Sequence, residues 1–135
     1  GKVRFIVSLP AGGLAAGTNG GIDLFNASTA DRSYEPLIRL STSGVINSLT
    51  ALPDGGLAAV TQIGEVARVE LFSSYVVQNG GSAYAHLKTD ELWSSREHSV
   101  AIAVLADGGL ALGGSVILLF NSSAVQQGGR AYATL

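Results

Sequence analysis

From its first residues the chain alternates. Val3, Phe5, Val7 and Leu9 are apolar and Lys2, Arg4 and Ser8 polar, the period of a half-buried strand. Pro10-Ala11-Gly12-Gly13 then reads as a turn, because proline presets φ and glycine accepts positive φ. Residues 14–17 (LAAG) form a short strand of small side chains, and Thr18-Asn19-Gly20-Gly21 is a hairpin signal. Residues 22–25 (IDLF) predict a third strand and residues 34–40 (YEPLIRL) a fourth, in which Pro36 suits only an edge or a bulge. No segment carries a helical stripe, and the 18 glycines fit tight hairpins.

This pattern occurs three times. LPAGGLAAG, LPDGGLAAV and LADGGLALG begin at Leu9, Leu52 and Leu105; IDLF, VELF and ILLF end at Phe25, Phe72 and Phe120. Each copy closes on a leucine, at Leu40, Leu87 and Leu135. The phenylalanine and leucine anchors give the same spacing, 47 and then 48 residues. The units are placed at about residues 1–44, 45–88 and 100–135. Two insertions break the register. One lies between Val60 and Val69, where Ile63 and Val66 extend a hairpin; the other is residues 89–99 (TDELWSSREHS), and the two are expected on opposite rims.

Four short strands repeating at this length resemble the blades of a WD-repeat β-propeller. Pro53-Asp54-Gly55 matches that family's turn between its first two strands; Ala106-Asp107-Gly108 and Pro10-Ala11-Gly12 match it in part. Phe25-Asn26, Phe72-Ser73 and Phe120-Asn121 stand where the family has Trp-Asp, and His98 lies near its entry histidine. The resemblance implies an all-β fold of three four-stranded antiparallel blades. Because propellers close with 4–8 blades, the expectation is half of a six-bladed ring, completed head-to-tail by a second copy as a homo-oligomer; the competing reading is a fragment, or one processed chain, of a larger propeller. It also implies a non-enzymatic scaffold that binds another protein through a rim; the alternative is a propeller lectin, with carbohydrate at repeated pockets.

Composition narrows the chemistry. The chain has 135 residues, of which 47% are hydrophobic and 13% charged, enough apolar side chain for a core. A net charge of −2 gives no nucleic-acid footprint. Cysteine is absent, so thiol catalysis and Cys-ligated zinc are excluded. The longest apolar run, residues 100–106, is far short of a membrane helix. A soluble protein is expected, with a cytoplasmic setting preferred; sequons at Asn26 and Asn121 do not overturn that preference.

No catalytic constellation, metal site or cofactor motif emerges. The Gly-Gly pairs recur as turns, no G-x-S-x-G elbow occurs, and His86 and His98 stand apart. Asp54 and Asp107 hold equivalent turn positions and read as turn stabilisers; Tyr84 and Tyr132 read as packing between blades. The candidate partner-binding residues are Trp93, Arg96 and His98. They lie in the inserted loop, which holds the chain's single tryptophan, and tryptophan and arginine are favoured interface anchors.

Overall fold

The computed structural model describes residues 3–10, 12–25, 38–63, 66–89, 101–114 and 116–135. The first repeat is an antiparallel meander, β1 (Val3–Ser8), β2 (Leu14–Thr18), β3 (Gly21–Phe25) and β4 (Ile38–Leu40), paired in chain order. The second has β5 (Val45–Ala51), β6 (Leu57–Ile63), β7 (Val66–Phe72), the short helix α1 (Ser74–Asn79) and β8 (Ala85–Lys88). The third has β9 (Ala101–Val104), β10 (Leu110–Gly113), β11 (Ile117–Phe120), α2 (Ser122–Gln127), β12 (Gly129–Arg130) and β13 (Ala133–Thr134). The fold is all-β.

One turn, used three times, sets the register of each first hairpin. The Leu52 N–H donates to the Gly56 carbonyl at 2.8 Å, and the Gly55 N–H to the Leu52 carbonyl at 3.0 Å. Leu105, Gly108 and Gly109 repeat both bonds, as do Leu9, Gly12 and Gly13. Asp54 Oδ1 accepts the Gly56 N–H at 2.9 Å, and Asp107 Oδ1 accepts that of Gly109 at the same length. Gly55 and Gly108 have φ of +95° and +91°, where a side chain is strained. A Cβ on Gly56 or Gly109 would overlap the carbonyl oxygen of Phe72 or Phe120. The Gly-Gly pair therefore answers two separate demands.

Period-two alternation gives every sheet a leading face, toward the preceding unit, and a trailing face, toward the next. Ala15, Ile22, Leu24 and Leu40 on the first trailing face meet Leu49, Leu57, Ala59 and Phe72 on the second leading face. At the second junction, Ala58, Val60, Val69, Leu71 and Leu87 meet Leu110, Leu112, Leu118 and Phe120. The core is thus two apolar layers between three stacked sheets. β1 lies against β5 and β5 against β9. At the far edge α1 contacts β4 and α2 contacts β8, while β12 pairs in parallel with β8, making the middle sheet five-stranded.

Three expectations change. α1 and α2 occupy connections read as loops; with 6 residues each they are too short for a periodic stripe. Their caps were the available signal: Ser73 Oγ accepts the Val76 N–H, Asn121 Oδ1 accepts the Ala124 N–H, and Gly80 and Gly128 end them. The last repeat's closing segment is divided, with Gly129–Arg130 joining the middle sheet and Ala133–Thr134 its own. Finally, the β6–β7 hairpin and the start of the insertion at residues 89–99 share one end of the sheet. Thr89 Oγ1 donates to the Ala67 carbonyl at 2.7 Å. In a meander the second turn and the exit of the fourth strand necessarily fall together.

Candidate functional site

The first two units leave a cleft at the end opposite that hairpin. It has a volume of about 560 Å³. One wall is the turn of the first unit, with Leu9, Pro10 and Gly12; the other is the Pro53-Asp54-Gly55 turn and α1, from which Ser74, Val77 and Gln78 face in. Leu24, Phe25 and Ile38 line it from the first sheet. The walls are mainly apolar. The carboxylate of Asp54, exposed at the surface, holds its turn through one oxygen while its charge stays at the cleft.

Away from the cleft, several acidic side chains are committed to the fold. Glu70, buried on the second leading face, accepts the Ser43 N–H with both oxygens, at 3.1 and 3.3 Å, and so fixes the linker between the first two units. His86 Nε2 lies 3.8 Å from Glu70 Oε1. At the equivalent positions of the first unit Asp23 pairs with Arg39 at 3.2 Å. These residues face one another across strands three and four. In the third unit the pair is Leu118 and Thr134. Sequence reading missed these pairs, although superposing IDLF on VELF and IRL on AHL brings an acid opposite a base in both copies.

Tyr84 donates from its hydroxyl to the Val125 carbonyl at 2.5 Å, reaching from the second unit to α2 of the third. Burial, and secondarily the negative charge of Asp54, raises its phenol above the usual tyrosine value. Its hydroxyl is occupied by packing between units. Tyr132, the equivalent residue in the third unit, is more exposed, at 59% against 43% for Tyr84. Phe72 and Phe120 are fully buried, whereas Phe25, on the first leading face, is only partly so.

Trp93, Arg96 and His98 lie outside the described residues. Among the described residues no three His, Asp or Glu side chains gather as a metal ion requires, and no helix is long and apolar enough to cross a membrane.

No family model and no curated protein matches the chain. Among solved structures it is similar to a protein of unknown function from Bacteroides caccae, with a TM-score of 0.60 over 96% of this chain at 12% identity. At that identity the likeness concerns the fold alone. This chain spans 44% of that protein's length.

Proposed function

We propose that this chain is part of a β-propeller and works as a non-enzymatic scaffold that holds another protein at its rim. Three meander sheets stacked face to face, with their first strands side by side, support the propeller reading. So does the Pro53-Asp54-Gly55 turn that resembles the WD-repeat turn. The observation that carries the binding role is the cleft between the first two units. Leu9, Leu24, Ile38 and Val77 offer an apolar seat for one or two side chains, and Asp54 offers a negative charge beside it. That chemistry fits an extended segment of a partner that places a basic residue next to an aliphatic or aromatic one. The scaffold role is further supported by Glu70, Asp23, Asp54 and Asp107, which all make structural bonds.

A random peptide library displayed on phage and panned against the purified chain tests this. The expected peptides pair an apolar with a basic residue and lose affinity for Gln78→Arg and Asp54→Asn. Gln78 is exposed on α1, and asparagine retains the oxygen that holds the turn. Peptides that bind both variants as well as the parent chain, or no enrichment at all, would defeat the proposed cleft.

A further inference from the structure

The end of the sheets that carries the cleft is built twice. Leu9, Leu24 and Val77 at the first junction have the counterparts Leu52, Leu71 and Val125 at the second. The turns match as well, with Asp54 at the first junction and Asp107 at the second making the same bond. The two places differ in what crosses them. At the second junction Tyr84, one residue before β8, reaches over and donates its hydroxyl to the Val125 carbonyl at 2.5 Å. Leu52 is 3% exposed there, whereas Leu9 at the first junction is only partly buried. In the sequence of the first unit the position of Tyr84 is held by Leu37, which has no hydroxyl to donate.

The accepting atom belongs to a helix end. A helix leaves its last carbonyls without intrahelical donors. At the end of α2 the Gly128 N–H returns to the Ala124 carbonyl at 2.6 Å, so the Val125 carbonyl is left over and Tyr84 takes it. α1 ends in the same way. The Gly80 N–H returns to the Val76 carbonyl at 2.7 Å, and the carbonyl left over is that of Val77. Among the described residues no donor meets it. Val77 lines the cleft. The first junction therefore keeps the apolar walls and the acceptor of the second, together with a volume of about 560 Å³.

We infer that the cleft takes a tyrosine side chain of the partner, seated as Tyr84 is one unit further on, with its hydroxyl donating to the Val77 carbonyl. The inference rests on the peptide-binding reading of the cleft and names the residue at its centre. A phenol suits the place because its ring is apolar and its hydroxyl requires a partner when buried. A basic residue beside that tyrosine answers the negative charge of Asp54. The same carboxylate, and the need for a hydroxyl proton, exclude phosphotyrosine.

Peptides selected by panning on the parent chain test this. They are remade with tyrosine, phenylalanine or phosphotyrosine at the aromatic position, and their affinities are measured by titration calorimetry. Tyrosine is expected to be enriched. Phenylalanine should weaken binding roughly 3- to 10-fold, the worth of one hydrogen bond. Phosphotyrosine should weaken it roughly 30-fold or more. In an isotope-labelled chain the carbonyl resonance of Val77, read through the Gln78 amide, should shift further with the tyrosine peptide than with its phenylalanine form. Cleft-dependent peptides without tyrosine, or a phenylalanine form that binds as tightly, would overturn this inference and leave the cleft reading standing. Peptides indifferent to Gln78→Arg and Asp54→Asn, or no enrichment at all, would overturn both. Binding gained only in a Tyr34→Ala chain would assign the cleft to a tyrosine of this chain and would also overturn the inference.

Discussion

Thr18, at the end of β2, and Thr61, its equivalent within β6, are predicted to respond in opposite directions when each is replaced by valine. In the first unit the turn follows at once. Thr18 Oγ1 donates to the Gly21 carbonyl and accepts the Gly20 N–H, both at 3.2 Å. In the second unit the inserted residues move the turn away, since β6 runs on to Ile63 and β7 begins at Val66. The hydroxyl of Thr61 is left fully buried with no hydrogen-bond partner. Valine matches threonine in shape, and the difference in strand propensity largely cancels between the two sites. At Thr18 the substitution removes two long hydrogen bonds, one of which (Gly20) water can replace, at a cost of roughly 1 kcal/mol. At Thr61 it removes an unsatisfied buried hydroxyl and is worth about 1–2 kcal/mol in the stabilising direction. Urea unfolding followed by far-UV circular dichroism measures both. The midpoints should move in opposite directions, with thermal midpoints separated by roughly 6–12 °C. Equal signs at the two sites would refute the assignment of the hydroxyls.

The other predictions concern turns, junctions and pH. Gly56→Ala and Gly109→Ala are each expected to cost more than about 2 kcal/mol, because a Cβ meets the Phe72 or Phe120 carbonyl oxygen; denaturant titration checks this. Leu57→Ala and Leu110→Ala, at buried junction positions, should cost about 3 kcal/mol each. Leu14→Ala, measured in dilute solution, should cost roughly 1 kcal/mol, since that side chain is half-exposed there. Tyr84 has a raised folded-state pKa, so its contribution is fully present below the unfolded value of about 10 and is lost as pH rises through the folded value. Stability should therefore fall in alkaline solution, with a shallower fall in Tyr84→Phe, as pH-dependent urea midpoints would show.

Much of this fold is legible in the chain because its signals are local. Alternation places β1, Gly-Gly marks the turns, and three copies of Leu-x-x-Gly-Gly-Leu repeat one hydrogen-bonded loop. The short helices are harder to read, since Ser74–Asn79 and Ser122–Gln127 make less than two turns each and only their caps announce them. β12 is set by a neighbour: Gly129 pairs with Leu87 of another unit, a partner no local pattern names. The cleft is legible only in pieces. Asp54 was read as holding its turn, and it does. Leu24, Ile38 and Gln78 come together only when two sheets stack, and no spacing within one repeat encodes that meeting. Exposure belongs to the same category, since Ile6 and Leu49 look alike in sequence and only Leu49 is covered by a neighbouring unit among the described residues.

The central claim is that the repeats stack with the trailing face of one unit on the leading face of the next. Mass spectrometry of an oxidised chain carrying Gly17→Cys and Ile46→Cys tests it most directly, because the chain has no native cysteine and a Cβ on Gly17 would lie 3.2 Å from Ile46 Cγ2. The account predicts an intramolecular disulfide in the folded chain. Two thiols that stay free while the chain remains folded by circular dichroism would contradict it.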